Sequence, residues 1–330
     1  MKKKLLITGG NGYIGSVLAL NVIKKYSVFI IDKKKKDFFK SKKINFIKAN
    51  LLNYNRVFFI IKKVKPDIII HLSAQSTIDM VKQKKNSYLL NNILATQNIV
   101  TISKKLNIKK FIFSSTASVY KKKNSKLYEN DSLQPNNLYG ETKLQNEEYI
   151  KKNFFFTNTK YCILRFFNVC GADKKNKIGE FHNPETHLLP IIVKKILCGE
   201  QILIYGNNYR TLDGTCVRDY VHVQDIVSGI IKSIDYLNYN SSSIFNLGSK
   251  KGVSVLQLIN IASKIIKKKA IIRYTNRRFG DVDKLICNYN KAKKKLNWNP
   301  IRSSPFRIVR DELYWFRYLG NKKFQRKFLY

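Results

Sequence analysis

The stretch Thr8-Gly9-Gly10-Asn11-Gly12-Tyr13-Ile14-Gly15 separates the apolar run Lys4 to Thr8, which reads as a strand, from a helical pattern over Gly12 to Lys25. Glycines at Gly9, Gly12 and Gly15 meet three needs together: a tight turn, close approach of the backbone to a ligand, and packing of the helix on the strand. The helix that follows presents unpaired N–H groups and a partial positive charge, which suit phosphate oxygens. A glycine triplet alone also marks ordinary turns, but between a strand and a helix it points to a dinucleotide-binding loop.

The rest of the first half keeps the same rhythm. Strands are expected at Val28 to Ile31, Asn45 to Lys48, Ile68 to Leu72, Lys110 to Ser114 and Tyr161 to Phe166. Helices are expected at Tyr54 to Val64, near Leu89 to Lys105, and at Leu138 to Lys151. Short, nearly continuous apolar strands alternating with helices build a parallel sheet covered on both faces. The expected fold is α/β: a doubly wound parallel (Rossmann) sheet with a smaller C-terminal substrate domain. After Asn168 the rhythm breaks, with a polar, turn-like stretch from Gly171 to Asn183 and later strands such as Gln201 to Tyr205 and Ser243 to Leu247 in irregular order. This places a boundary near residue 170. Residues 1–169 are then the cofactor domain and 170–330 the substrate domain, with some later segments returning to the first.

Composition removes whole classes of function. With 330 residues, 44% of them hydrophobic, the chain can bury a large core, yet no apolar run approaches the ~18 residues of a membrane span. The basic start Lys2-Lys3-Lys4 is followed by apolar residues only as far as Ile7, too few for a signal peptide. The five cysteines, Cys162, Cys170, Cys198, Cys216 and Cys287, include no CxxC pair. They read as reduced thiols of a cytoplasmic protein, and no metal site is expected. A balance of 63 basic and 21 acidic residues, net +42, invites a polyanion reading. Only 12 of the 63 are arginine, the side chain preferred for reading bases. Lysine runs such as Lys121 to Lys123 and Lys267 to Lys269 read instead as solvated surface, and no specific nucleic acid is expected.

Asp32 ends the second expected strand, where a carboxylate accepts hydrogen bonds from an adenosine ribose diol and repels a 2′-phosphate, favouring NAD over NADP. The adjacent Lys33 pulls the other way, since a cation there tolerates a phosphate. Tyr139-Gly140-Glu141-Thr142-Lys143 opens a helix, so Tyr139 and Lys143 lie one turn apart on one face. A tyrosine hydroxyl is a poor base at neutral pH unless cations nearby favour the phenolate. With Lys143 and an oxidised nicotinamide beside it, Tyr139 becomes a plausible general base. The commoner meaning of an isolated YxxxK is a surface pair. Here Ser114-Ser115-Thr116 also ends a strand at the carboxyl edge where open α/β sheets bind ligands, and Thr116 can hydrogen-bond the same substrate hydroxyl.

TGGNGYIG at Thr8 to Gly15, HLSA at His71 to Ala74, FIFSSTASVY at Phe111 to Tyr120 and YGETK at Tyr139 to Lys143 together resemble the extended short-chain dehydrogenase/reductases. More narrowly, LRFFNVCGA (Leu164 to Ala172), HNPETHLLP (His182 to Pro190), TLDGTCVRDYVHV (Thr211 to Val223) and RRFGD (Arg277 to Asp281) resemble the UDP-glucose 4-epimerase family, so the likeness covers essentially the whole chain. The resemblance implies a tightly held NAD that interconverts UDP-galactose and UDP-glucose by oxidising C4, letting the 4-keto sugar turn, and reducing it on the other face. It implies catalytic roles for Tyr139, Lys143 and Thr116. It implies cofactor contacts at Gly9, Gly12, Tyr13, Ile14, Gly15, Asp32, Asn50, Leu51, Leu72, Ser73, Ala74, Asn92 and Phe167, besides the catalytic three. Substrate contacts are implied at Asn168, His187, Leu188, Leu203, Ile204, Tyr205, Arg218, Arg278, Asp281 and Leu285, together with a homodimer formed through helices near Leu89 to Lys105 and Leu138 to Lys151.

The chain departs from the family pattern at several points. Asn50 replaces an aspartate that contacts adenine, Ser76 replaces a lysine near the cofactor, and His187 stands where some members have asparagine. Leu285 falls at a position where a bulky aromatic excludes N-acetylated sugars and a small residue admits them; leucine is intermediate and leaves UDP-N-acetylglucosamine open. Arg218 and Arg278 have an alternative as ion pairs with Asp219 or Asp281. His71 and His222 read as packed strand histidines. A 4,6-dehydratase needs an Asp-Glu pair after the catalytic hydroxyl, where this chain has Ala117-Ser118, and a UDP-glucuronate decarboxylase would place a glutamate at Ser118. A 4-epimerase acting on UDP-glucuronate stays open. From another class, a non-catalytic NAD- and RNA-binding protein would use the net charge, but intact Thr116, Tyr139 and Lys143 speak against it.

Overall fold

A computed structural model describes residues 2–33, 43–75, 85–121, 123, 125–173, 175, 177–182, 185–278 and 281–321. The first half runs β1 (Lys4–Thr8), α1 (Tyr13–Val22), β2 (Ser27–Asp32), β3 (Ile44–Lys48), α2 (Tyr54–Val64), β4 (Ile68–His71), α3 (Lys85–Tyr88), α4 (Ala95–Lys105), β5 (Lys110–Thr116), α5 (Leu138–Phe154) and β6 (Lys160–Phe166). The second half runs β7 (Asn168–Cys170), α6 (Leu188–Cys198), β8 (Gln201–Tyr205), β9 (Val217–His222), α7 (Val223–Tyr236), β10 (Ser243–Leu247), β11 (Gly252–Ser254), α8 (Val255–Ile266), β12 (Ile271–Thr275), β13 (Lys284–Leu285), α9 (Asn290–Leu296) and α10 (Pro305–Asn321).

Seven strands form one sheet in the order β10-β6-β5-β4-β1-β2-β3, every pairing parallel. The two-residue pleat explains how such apolar strands are used. Leu5 and Ile7 of β1 face one core layer with Val17 and Leu18 of α1 and Ile226 and Ile230 of α7. Leu6 between them faces the opposite layer with Val57 and Ile61 of α2, Ile99 of α4 and Ile150 of α5. Burial on both faces is the reason alternation is missing from these strands. Chain winding reverses between β1 and β4, which opens a crevice at the carboxyl ends of those two strands, the usual ligand position in such sheets.

β10 lies far along the chain yet closes one edge of this sheet against β6, pairing Ser243 with Cys162 through to Leu247 with Phe166. The remaining strands make smaller units. β9 sits between β11 and β13 and also pairs β7, while β8 pairs β12. Helices α6, α8 and α10 cover them around Leu189, Ile192, Leu258, Ile259, Ile308 and Val309.

Several elements differ from their expected bounds: α1 stops at Val22 rather than Lys25, and α5 runs on to Phe154 rather than Lys151. The helix expected near Leu89 to Lys105 is interrupted by a π-helical turn over Leu89–Leu94. β5 runs on to Thr116 rather than stopping at Ser114, because Ser114, Ser115 and Thr116 are all paired with β6.

A buried polar network ties the elements that carry the candidate catalytic residues. On β6, Arg165 donates from Nε to Glu147 Oε1 (3.0 Å) and from Nη2 to Glu147 Oε2 (2.7 Å), and both side chains are nearly inaccessible. Its Nη1 donates to the Tyr120 hydroxyl (2.9 Å) and the Glu129 carbonyl (3.0 Å). Ser115 donates to Glu147 Oε1 (2.5 Å), and Tyr120 to Asn246 Oδ1 on β10 (2.6 Å). Removing one partner strands a buried charge, so Glu147→Ala is expected to cost about 3–5 kcal/mol in urea unfolding. Adding Arg165→Met to that variant should restore part of the loss; an unchanged midpoint in the single variant would contradict this account.

Candidate active site

The loop after β1 closes on the neighbouring strand. Gly9 lies at φ +71°, and a Cβ there would sit 2.7 Å from the Ser73 backbone nitrogen; one on Gly15 would sit 2.4 Å from the Gly9 carbonyl oxygen. Any side chain at either position would force backbone apart. Gly12 caps α1 without a side-chain hydrogen bond, which leaves first-turn N–H groups for a ligand. Tyr13 and Ile14 open the helix half-buried, and the Tyr13 hydroxyl donates to the Gly171 carbonyl. Asn11 is buried with neither amide atom hydrogen-bonded, a cost of about 1–3 kcal/mol that a bound polar group would relieve.

Asp32, at the end of β2, accepts from the Asn11 N–H (3.1 Å) and the Lys33 N–H (2.7 Å). It lines a cavity of about 200 Å³ with Asn50, Leu51, Ser73, Ala74 and Asn91. The Lys33 ammonium donates to Asn91 Oδ1 at 2.6 Å, so it is engaged across the cavity rather than projecting as a lone cation. Asn50 accepts from the Leu52 N–H (3.2 Å), and the Leu72 N–H donates to the Thr8 carbonyl (3.1 Å). The Asn92 amide is engaged within the protein: it accepts from the Gln75 N–H (2.7 Å) and donates to the Gln75 carbonyl (3.1 Å) and Thr142 Oγ1 (3.2 Å). It fastens the segment after β4 to α5. Ser76 lies outside the described residues.

The three candidate catalytic residues come together between β5 and α5. Thr116 ends β5, and its hydroxyl accepts from the Ser118 N–H (3.2 Å), starting a 3₁₀ turn at Ala117–Val119. Helix α5 is capped by Asn137, which accepts from the Gly140 N–H (2.8 Å). A Cβ on Gly140 would lie 2.4 Å from the Ser118 carbonyl, so α5 starts directly against that turn. Lys143 is 2% exposed, donates to the Ser114 carbonyl (2.7 Å), and sits 5.8 Å from the centre of the Tyr139 ring. Its ammonium is thus held at the end of β5 while standing beside the phenol ring. Burial pushes the Tyr139 phenol up, with Tyr88 adding to the shift. Burial drives Lys143 down to about 7, against the opposing pull of Glu147. Phe167 packs with Ala117, Val119 and Cys287 beside the same turn.

The residues expected to hold the substrate are placed differently from one another. Asn168 is exposed on β7. His187 is the N-cap of α6 and Leu188 its first residue. Along β8, a strand expected to lie at the substrate, Leu203 is exposed and Tyr205 half-buried, while the pleat turns the Ile204 side chain into the core with α6 and α8. Arg218 pairs with Asp281 (2.9 Å) and donates to the Val282 carbonyl (2.8 Å). Arg278 lies over the Tyr205 ring at 3.8 Å from its centre. Asp219 pairs with neither arginine: it accepts from the Ser249, Lys250 and Cys287 N–H groups, and burial raises it to about 6. Leu285 on β13 is half-buried against the Phe167 cluster. His71 is packed as expected, between Thr8 Oγ1 (2.6 Å) and Thr96 Oγ1 (2.9 Å), and burial lowers it to about 3.

Sequence reasoning missed Glu147 and Arg165. The signal was present, since Tyr139, Lys143 and Glu147 recur every four residues on one helical face. It also missed the Asn11 amide, which reads as an ordinary turn residue.

The Lys143 shift has a definite pH consequence. Between about pH 7 and the ordinary lysine range near 10.4, the unfolded chain binds a proton that the folded chain does not, so this group makes stability rise with pH across that window. Below pH 7 both states are protonated and the penalty is constant. Lys143→Met should therefore gain stability relative to the parent at pH 6 and lose that advantage by pH 10, read as the difference between two denaturant-unfolding series. A pH-independent difference would refute the buried-amine assignment.

Residues 5–248 match the model of the "NAD dependent epimerase/dehydratase family". The UDP-glucose 4-epimerase of Streptococcus mutans is 34% identical over 321 residues, covering 94% of this chain and 96% of that protein. The crystal structure of UDP-glucose 4-epimerase from Bifidobacterium longum in complex with NAD+ and UDP superposes with a TM-score of 0.90 at 26% identity, covering 97% of this chain and 99% of that one. The UDP-Glc/GlcNAc 4-epimerase of Campylobacter jejuni superposes with a TM-score of 0.83 at 31% identity, covering 96% and 99%. A match to the family model across most of the sequence, on a sheet that winds and reverses as such a fold requires, leaves one assignment: this chain belongs to the NAD dependent epimerase/dehydratase family.

Proposed function

We propose that the chain interconverts UDP-galactose and UDP-glucose with a retained NAD, as a cytoplasmic enzyme of galactose metabolism working as a homodimer. The observation that carries this reading is the placement of Tyr139 and Lys143 against the end of β5 that carries Thr116, in a chain that matches curated UDP-glucose 4-epimerases over nearly their full length. No helix among the described residues is long and apolar enough to cross a membrane. Leu89, Leu90 and Leu94 are exposed on consecutive turns of the segment proposed for the dimer contact.

The residues present fit NAD. Gly9 and Gly15 let the loop close tightly on the backbone after β4 and on itself, the α1 N-terminus has no side-chain cap in the way of the pyrophosphate, and Asp32 borders a cavity suited to an adenosine. The buried Asn11 amide offers an unused donor and acceptor beside them. When bound, NAD supplies a reversible hydride acceptor for C4 of the hexose and, in its oxidised form, a positive charge beside the phenol.

Tyr139 takes the 4-hydroxyl proton, directly or through Thr116, and returns it after the sugar turns. In this environment burial alone would hold Tyr139 protonated, so base function needs added positive charge close by. Lys143, fixed on the Ser114 carbonyl, sets the geometry of that corner and supplies a group that titrates near neutrality. Arg218, Arg278, Asn168, Leu188 and Asp281 anchor the UDP end only, since the hexose must be able to turn over. Guanidinium forks suit a diphosphate because they give directed, charge-assisted hydrogen bonds. Asp281 and Tyr205 hold the two arginines in place.

The test is conversion of UDP-galactose by purified protein with no added NAD, followed by coupled dehydrogenase or chromatography. Tyr139→Phe should retain NAD and lose a hundredfold or more in rate; full activity would overturn the mechanism. Gly15→Ala is expected to abolish NAD retention, measured as nucleotide released on denaturation. Repeating the assay with UDP-N-acetylglucosamine reads the effect of Leu285.

A further inference from the structure

Two of the four histidines meet at one buried carboxylate outside the catalytic corner. Glu180 Oε1 lies 3.2 Å from His187 Nδ1 and 3.7 Å from His182 Nδ1. The donor atoms of all three residues fall within 4.8 Å of one another, and the two imidazole rings are 4.8 Å apart, centre to centre. A tetrahedral ion with bonds of about 2.0–2.2 Å needs donors about 3.3–3.6 Å apart. The arrangement is therefore close to a coordination triangle without any change of fold.

The surroundings fix this triangle and leave it short of positive charge. The Glu180 backbone is pinned by α10, where Trp315 Nε1 donates to its carbonyl (2.8 Å). Glu185 shapes the loop, accepting from the His182, Thr186 and His187 N–H groups and from His187 Nδ1 at 3.2 Å. Glu185 meets the same His187 nitrogen that faces Glu180, which adds a further carboxylate oxygen beside the triangle. Glu180 is 5% exposed and Glu312 is fully buried; burial pushes the Glu180 carboxyl up, and the charges of Glu312 and Glu185 add to it. In a chain of net charge +42, this corner gathers three carboxylates around two histidines. His182 and His187 are each about a third exposed, which gives an ion a route in and room for water as its fourth ligand.

We propose that Glu180, His182 and His187 form a binding site for one divalent transition-metal ion of the zinc type. Two imidazoles and one carboxylate are a donor set that zinc and cobalt(II) accept. The ion would clasp the loop carrying Glu180 and His182 to the N-terminus of α6, a structural role that involves no bond making or electron transfer. The expectation of no metal rested on cysteine spacing, whereas here the donors are histidines five apart in sequence and a glutamate two residues before them.

The experiment is zinc titration of the full chain, produced without a histidine tag and pretreated with chelator, by calorimetry and by dialysis with elemental analysis. Expected are one zinc per chain with a micromolar or tighter Kd, a higher melting temperature with zinc, and tetrahedral cobalt absorption when cobalt(II) is substituted. Glu180→Gln and His182→Asn should each weaken zinc binding at least tenfold while NAD content stays at the parent level. Cys198→Ser, which removes an exposed thiol, should change nothing. Absence of stoichiometric zinc binding in the parent protein overturns the proposal, even if a variant fails to fold. So does binding that survives both substitutions. No UDP-sugar enters these measurements, so they stand apart from the epimerase assay.

Discussion

The bidentate pair between Arg165 and Glu147 is the contact on which the catalytic corner depends. It sits where β5, α5 and β6 meet, and its remaining hydrogen bonds reach Ser115, Tyr120 and the Glu129 carbonyl. Ser115 precedes Thr116, and Glu147 lies one helical turn beyond Lys143 and two beyond Tyr139. A displacement of the pair would move all three candidate catalytic residues together. Replacing such a pair by apolar side chains of similar volume is often tolerated for stability. What the charged pair adds here is directional: its fork geometry specifies how α5 lies across the sheet, which hydrophobic packing alone specifies loosely.

The same burial that makes the corner precise also sets its protonation. Lys143 and Tyr139 are both pressed toward their neutral forms, the lysine against the attraction of Glu147. A corner poised this way responds strongly to any charge that arrives next to it, because little solvent is present to screen the effect. The open N-terminus of α1 and the unsatisfied Asn11 amide belong to the same logic. Polar capacity is held in place before a ligand is present, so less reorganisation is needed when one binds.

Much of this was legible in the sequence, for identifiable reasons. The glycine loop could be read because steric need at Gly9 and Gly15 leaves no alternative residue. The central strands could be read because burial on both faces makes them continuously apolar. Tyr139 and Lys143 could be put on one face from helical spacing, and the strand end at Thr116 gave that pair its meaning. The inward turn of Ile204 between Leu203 and Tyr205 follows from the alternation of a strand's faces only once its packing against α6 and α8 is known. The π-helical turn at Leu89–Leu94 leaves no mark in a periodicity built on 3.6 residues. The engagement of Lys143 with Ser114, and the meeting of Glu180 with His182 and His187, depend on where loops and helix ends come to rest. Long-range placement of that kind is set by tertiary packing rather than by local pattern.

The position of β10 has a consequence for how the chain is made. Its partner β6 is finished by Phe166, yet the strand that covers it is Ser243–Leu247, so during synthesis β6 presents an uncovered sheet edge while α6, β8, β9 and α7 emerge. Exposed edges template pairing with other chains, and contacts of such sequence separation form slowly. Lys160 and Arg165 place charge at the two ends of that strand, and Asn246 completes the Arg165 network through Tyr120 only when β10 docks. The nascent chain therefore carries, for the length of that excursion, both an unpaired edge and an unfinished polar cluster, a window in which chaperones and ribosome pausing would have the most influence on its fate.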